Sequence, residues 1–308
     1  MTLFNSKRSL EAEAQDRSDK IFTKAMSKAL GDEIRGVFLR RSMALLPFEE
    51  VKEKLELWFA TDLGIKSVPI DAIIGSQGRY RNFTRHFFPL NENLRNRWKH
   101  IERAVSSGKE LPPCELYKVC NAYFVKDGHH RISVAKAQNR RFVQARVLEY
   151  ECDVAMGRQT DPEKLAILET YHKFLKKTGL KKSRNPDLHL TRLGGYQILM
   201  EHIERHKLFL EEQNREDICL SRAAASWYDK IYLPMADLIK KNRIMTQFPH
   251  RTEADFYIWM VKFRQHLTPH AIEPEEAETI VEAYASKFAT PLRKVVGKIR
   301  NLLGIVKY

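Results

Sequence analysis

The spacing of hydrophobic residues changes along the 308-residue chain, and each change marks a different kind of structure. Between residues 9 and 58, apolar side chains recur at three- and four-residue steps, the period of a helix that buries one face. Pro47 followed by Glu49 and Glu50 is a typical helix start, because the helix dipole favours carboxylates in the first turn. The pattern therefore predicts an N-terminal helical segment over residues 1–60.

The middle of the chain, residues 61–152, carries shorter apolar runs. The run Ile65–Ile74 is rich in β-branched residues and ends in a Gly-rich basic loop, Gly75–Arg81. A helical stretch follows, and then two strand-like runs on either side of a turn at Cys120-Asn121. A further helix and strand complete a compact α+β unit over this range.

Strand signals nearly vanish from Asp153 onward. Amphipathic helical runs follow one another and are interrupted by Pro234, Pro249 and Pro269. We predict an α+β protein in which a small mixed sheet with helices is flanked by the N-terminal helical segment and by a mostly α-helical C-terminal domain, residues 153–308.

The last segment, LRKVVGKIRNLLGIVKY, combines an apolar seam with basic flanking residues. Three interpretations of it stay open: docking on the chain's own domain, a homodimer formed through this helix, or binding to an anionic membrane. Gly297 and Gly304 weaken it as an isolated helix.

Composition adds an excess of positive charge. The chain has 53 Lys and Arg against 39 Asp and Glu, a formal net charge of +14. Such an excess attracts polyanions at long range, nucleic acid first and then anionic membranes or nucleotides. The alternative is a merely basic soluble protein, since net charge alone does not define a partner.

Three observations predict a soluble, cytoplasmic protein. No apolar run approaches the ~20 residues that span a bilayer, so we expect no transmembrane segment. The N-terminus lacks the charged-then-apolar pattern of a secretory signal. The four cysteines show no metal-binding spacing, and their sparse use suits a reducing compartment.

The most distinctive polar motif is DGHHR, residues 127–131, at a predicted strand-to-helix junction. Gly128 can take a positive φ there without steric cost. The amides that follow it are the unsatisfied donors of a helix N-terminus, which together with the helix dipole attract anions. His129 and His130 add hydrogen-bond donors, and Arg131 adds a planar charge suited to phosphate oxygens. The motif therefore predicts a phosphate site.

A second Gly-rich basic loop, Gly75–Arg81, also follows a short strand and carries Arg79 and Arg81. Two such loops in one domain suggest a nucleotide held from two sides. The competing interpretation is purely structural: Asp127 caps the helix, the two histidines are exposed, and Arg131 pairs with a glutamate.

The segments LPPCELYKV, AYFVKDGHHRISVAKAQN and FVQARV resemble the ParB/sulfiredoxin superfamily over residues 61–152. In that superfamily the matching motif lies against nucleotide phosphates: partition proteins bind CTP, sulfiredoxin uses ATP, and some relatives are free-serine kinases. The resemblance therefore implies a nucleoside triphosphate, ATP or CTP, with Mg²⁺. Over most of its length the sequence is also similar to a bacterial group of ParB-domain proteins with a helical C-terminal region of unknown function.

The sequence departs from these relatives at the motif itself. It has His129 and His130 where partition proteins carry arginines, and no clear helix-turn-helix follows. Gly128 is preceded by Asp127, whereas sulfiredoxin needs a catalytic cysteine beside its motif. Asp127 is the candidate catalytic base or magnesium ligand, with Glu115 as the alternative. A structural role suits each equally well: Asp127 as a helix cap, and Glu115 as a surface residue of a strand.

These considerations define the expected site and function. His202 and His206 lie one helical turn apart as a zinc pair would, but no third ligand stands near, so no metal site is expected. We expect a nucleotide-binding, ParB-like regulatory or DNA-associated protein. The alternatives are a small-molecule phosphotransferase or NTPase, and an interaction protein whose site has decayed. The expected nucleotide ligands are Arg79, Arg81, Gly128, His129, His130, Arg131 and Ser133.

Overall fold

The computed structural model describes residues 2–39, 42–152, 154–184, 186–241 and 243–267. The chain forms two compact units, Met1–Leu168 and Glu169–Tyr308. The basic C-terminal segment for which dimerisation is one interpretation lies outside the described residues.

The first unit is built around a six-stranded mixed sheet. Its strands are β1 (Leu46–Pro47), β2 (Ala60–Pro69), β3 (Ile73–Ser76), β4 (Cys114–Val119), β5 (Ala122–Asp127) and β6 (Phe142–Tyr150), and its helices are α1 (Thr2–Leu39), α2 (Phe48–Lys54), α3 (Arg95–Ser106) and α4 (His129–Ala137). The strand order is β1-β3-β5-β4-β6-β2. The pairs β4–β5 and β2–β6 are antiparallel and the other three are parallel. The predicted α+β class, with a small mixed sheet, is confirmed.

The predicted run Ile65–Ile74 does not form one strand. β2 ends at Pro69, a 3₁₀ turn follows, and β3 begins at Ile73. Pro69 has no amide hydrogen to donate to a ladder, which favours the break. The two strands then take separate places, β2 at one edge of the sheet and β3 between β1 and β5.

Gly75 was predicted to begin the basic loop, but it lies inside β3. A Cβ atom at this position would overlap the ring of Phe124 and the carbonyl oxygen of Leu46. The glycine therefore allows close packing of the sheet, and the exposed loop begins after Ser76.

The long helix α1 packs against α3 and contributes to the core of the first unit. The ring of Phe22 meets Trp98 edge-on, with ring centroids 5.4 Å apart. Beside this contact, the ammonium of Lys99 lies 2.5 Å from the carboxylate of Asp19. Phe22 and Trp98 are both fully buried, so the predicted N-terminal helical segment shares a core with the sheet.

Beyond the sheet, the described residues form helices, in agreement with the predicted α-helical C-terminal region. They are α5 (Pro162–Thr178), α6 (Leu180–Arg184), α7 (Gly195–Asn214), α8 (Leu220–Trp227), α9 (Leu233–Lys241) and α10 (Glu253–Leu267). Pro234, predicted to interrupt a helix, stands in the first turn of α9, directly after a π-helical turn, Tyr228–Tyr232. A proline ring clashes with the carbonyl four residues back, and a wider turn relieves that clash. Within the described residues, no helix has the length and apolar character that crossing a membrane requires.

Candidate anion-binding site at the entrance of α4

Two loops meet because the strands that precede them are parallel neighbours. Ser76 at the end of β3 pairs with Val125 of β5. The ladder continues one residue further, where the amide of Gln77 donates to the carbonyl of Val125 at 2.8 Å. The loop after β3 and the entrance of α4 therefore lie at the same edge of the sheet.

Gly128 makes the turn from β5 into α4. Its φ is +104° and its ψ is 18°, in the left-handed region that favours glycine. A Cβ atom there would lie 2.6 Å from Cys114 Sγ and 3.2 Å from Arg131 Nε, so the site also lacks room for a side chain. The first amide to bond back within the helix is that of Ile132, at 3.0 Å from the Gly128 carbonyl. No side chain caps the helix at Gly128, and the three amides before Ile132 are the orphan donors of its entrance.

His129 joins the two loops directly. Its Nε2 lies 2.6 Å from Ser76 Oγ, and both side chains are buried. The Ser76 hydroxyl in turn donates to the carbonyl of Gly78. Because that hydroxyl has a single hydrogen, its oxygen accepts from His129, which is therefore protonated on Nε2.

Both histidines are buried, each only 6% exposed. The purely structural interpretation of the motif expected both side chains to be exposed, and on this point it is wrong. They pack on Phe83, one ring nearly parallel to it and the other edge-on. Burial, followed by the guanidinium of Arg79, lowers the pKa of His129 to about 4. Burial, followed by the guanidinium groups of Arg97 and Arg79, lowers the pKa of His130 to about 4. At neutral pH both rings are uncharged; guanidinium groups act on both of them, and the carboxylate of Asp127 opposes this effect at His129.

Arg131, expected to bind phosphate, is engaged within the protein. Its Nη1 donates to the carbonyl of Pro112 and, at 2.9 Å, to that of Pro113. Its Nη2 pairs with Asp127 rather than with a glutamate. The arginine therefore fastens the segment before β4 to the first turn of α4. Asp127 remains 63% exposed at the same entrance.

The other expected ligands occupy different environments. Ser133 is fully buried and accepts a hydrogen bond from Trp98 Nε1 at 2.9 Å. Arg81 is exposed, with its guanidinium 5.8 Å from the ring centroid of Tyr80. Arg79 is also exposed, but it lies close enough to lower the pKa of both histidines.

Arg97 is a member of the site that the sequence did not predict. It is an exposed residue of α3 whose charge acts on His130. No motif surrounds it, and its position follows from the packing of α3 on α4. The described geometry thus brings together the α4 entrance, Arg79 and Arg97. Arg131 and Ser133 instead make hydrogen bonds that attach α4 to neighbouring segments of the protein.

The two histidines of α7 that have zinc-like spacing serve the core of the second unit. Trp227 Nε1 donates to His202 Nδ1 at 3.2 Å, and His206 Nε2 lies 3.1 Å from Ser226 Oγ. Across the described ranges, no group of three His, Cys, Asp or Glu side chains is arranged to hold a metal ion.

Comparison with known proteins gives no family assignment, because no family model and no curated protein matches the chain. The crystal structure of sulfiredoxin from Arabidopsis thaliana matches with a TM-score of 0.23 and 15% identity, over 28% of this chain and 86% of that one. The structure of the pNOB8-like ParB N-domain matches with a TM-score of 0.21 and 14% identity, over 52% of this chain and 48% of that one. The aligned part thus spans about half the length of the ParB chain. Superpositions with such low TM-scores carry no argument about function.

Proposed function

We propose that this protein binds a nucleoside triphosphate, ATP or CTP with Mg²⁺, whose phosphates lie at the entrance of α4. The observation that carries the proposal is the positive field there. The first amides of the helix have no acceptor within it, and the guanidinium groups of Arg79 and Arg97 act on two buried histidines, an effect that the carboxylate of Asp127 partly opposes at His129. A phosphate group would complete the hydrogen bonding of these amides and neutralise the field.

A thermal-shift screen of ATP, ADP, CTP and GTP, with and without Mg²⁺, tests the proposal. A ligand at 100 times its Kd stabilises the folded state by about 2.7 kcal/mol. If Arg79→Gln or Arg97→Gln weakens binding tenfold, the same ligand concentration gives about 1.4 kcal/mol. Arg81→Gln is the matched control: Arg81 was also expected as a ligand, but unlike Arg79 of the same loop it does not shift the pKa of either histidine, so its loss should leave the nucleotide shift unchanged. Equal shifts in all three variants would refute the assignment of the site.

Imidazole titration by NMR provides a second readout that does not depend on stability. A bound phosphate stabilises protonated imidazole, so nucleotide should raise the pKa of His129 and His130 above about 4. Unchanged titration at saturating nucleotide would place the ligand elsewhere.

The role we propose for nucleotide binding is regulatory, in a ParB-like protein that associates with DNA in the cytoplasm. The ParB-like motif sequence and the net charge of +14 support this role. Free thiols at all four cysteines suit a reducing compartment. DNA affinity should fall steeply as salt rises, because each neutralised phosphate releases counterions. Binding that is flat across salt concentrations would remove the DNA part and leave the nucleotide site intact.

Phosphoryl transfer is the second candidate function, and the exposure of Asp127 at the α4 entrance favours it. A carboxylate there would be accessible to a Mg²⁺-bound phosphate or to a substrate hydroxyl. The activity would appear as Mg²⁺-dependent loss of the γ-phosphate, abolished in Asp127→Asn. No turnover with common nucleotides and a panel of amino acids would exclude it.

A further inference from the structure

A cavity of about 650 Å³ lies in the first unit, and none of the DGHHR residues lines it. Its walls come from the end of α1, the 3₁₀ turn before β3, the last turn of α4 and residues 158–161. This volume falls within the range of small-molecule sites. The cavity is therefore large enough for a ligand of its own.

The lining carries more positive than negative charge. Its carboxylates are those of Asp71 and Asp161, whereas its cationic side chains are twice as many. Asp71 is shared, because it pairs with Lys136 and also lies 3.1 Å from Arg158. One carboxylate thus compensates two cations, and an excess of positive charge remains. The cationic residues are Arg35, Arg85, Lys136 and Arg158.

His86, also in the lining, is already paired with a carboxylate outside it. Its Nδ1 lies 2.8 Å from Asp32, whose side chain is only 8% exposed. The His86 ring is therefore engaged with Asp32 and not with the arginines of the lining. The excess positive charge of the lining stays available to a ligand.

Arg85 is a fixed cation in the cavity wall. Its Nη2 donates to the carbonyls of Arg158 at 2.7 Å and Thr160 at 2.5 Å. Among the described residues, its Nη1 is buried without an acceptor. Burial lowers the pKa of this guanidinium, and the charge of Asp161 opposes the shift. A buried charge with an unsatisfied donor is costly, and an anion nearby offsets that cost.

Apolar side chains form the rest of the wall. Ile70, Ile73 and Phe87 line the cavity and are almost fully buried, and Met43 adds a flexible apolar surface. We infer that the cavity is a second ligand site, for a small organic dianion with an apolar body. Phosphate monoesters and dicarboxylates share this chemistry. The inference does not depend on nucleotide binding at the α4 entrance.

Calorimetric titration of the full chain with phenyl phosphate and with phthalate tests the inference and separates the two anion types. Inorganic phosphate has the charge without the apolar body, and phenol has the body without the charge. At least one of the aromatic dianions should bind more tightly than both of these. A failure of both aromatic dianions to bind at millimolar concentration would overturn the inference.

Variants at the rim then locate the bound dianion. Arg35→Gln and Arg158→Gln each remove an exposed cation from the lining and should weaken binding about threefold, and the double variant about tenfold. Arg103→Gln, an exposed arginine of α3 outside the lining, should bind as the unmodified chain does. Unfolding of each variant without ligand checks that the fold is intact.

A final comparison separates this cavity from the α4 entrance. Arg97→Gln should leave dianion binding unchanged, and Arg158→Gln should leave the nucleotide shift unchanged. Loss of dianion binding in Arg97→Gln but not in Arg158→Gln would assign the dianion to the α4 entrance and overturn the inference. Equal weakening in Arg103→Gln and Arg158→Gln would reduce it to a general charge effect and overturn it as well.

Discussion

Replacing Gly128 by alanine should destabilise the first unit more than replacing any glycine that has open space around it. The residue has a φ of +104°, and a left-handed conformation costs a non-glycine residue roughly 1–2 kcal/mol. The new Cβ atom would also lie 2.6 Å from Cys114 Sγ. Overpacking of a buried site costs about 1–3 kcal/mol. The two effects together predict a loss of about 2–5 kcal/mol in the free energy of unfolding.

Gly108→Ala is the matched control, because Gly108 has a φ of +76° but nothing within 4 Å of the added Cβ position. It should lose only the conformational part, about 1–2 kcal/mol. Urea unfolding followed by far-UV circular dichroism measures both variants. The Cys114→Ala change, made in both the original chain and the Gly128→Ala chain, should recover part of the steric loss in the second background. Equal losses for Gly128→Ala and Gly108→Ala would refute the close approach between Gly128 and Cys114.

Three further predictions concern the same entrance. His129 and His130 have pKa values of about 4 in the folded protein against about 6.5 when unfolded, so the unfolded state binds more protons below pH 6.5. The free energy of unfolding should therefore fall by about 3 kcal/mol between pH 6.5 and pH 5, and equal urea midpoints at pH 7 and pH 5 would contradict this. Arg131→Ala should lower stability by about 1.5–3 kcal/mol without any nucleotide, because it breaks charge-assisted hydrogen bonds to backbone carbonyls; a variant of unchanged melting temperature would show that this arginine is not structural. Ser133→Ala should cost about 1–3 kcal/mol, because it leaves the buried Trp98 indole without its acceptor, and should leave the nucleotide shift unchanged; weaker nucleotide binding at constant stability would make Ser133 a ligand.

The features predicted best from the sequence are those that depend on residues adjacent in the chain. Both strands of the hairpin, Cys114–Val119 and Ala122–Asp127, begin and end where the apolar runs do. The left-handed turn at Gly128 also follows from local chemistry, since glycine is the residue that takes this conformation without strain. The entrance of α4 was for this reason placed correctly along the chain.

The roles of individual cations could not be predicted, because they depend on packing between distant segments. Arg131 finds its acceptors at Pro112 and Pro113, nearly twenty residues earlier in the chain. Arg97 reaches the site only because α3 packs on α4, a contact that includes the hydrogen bond from Trp98 to Ser133. No spacing within a single segment encodes such contacts.

The packing of Cys114 against Gly128 makes its thiol less reactive than the exposed thiol of Cys219. Burial raises the pKa of this thiol to about 11, so it stays protonated in neutral solution and is a poor nucleophile. Cys219 is exposed, and hydrogen bonding from Ser221 lowers its thiol pKa. Maleimide reagents should therefore label Cys219 in preference to Cys114, so a fluorescent reporter on Cys219 spares the thiol that packs against Gly128.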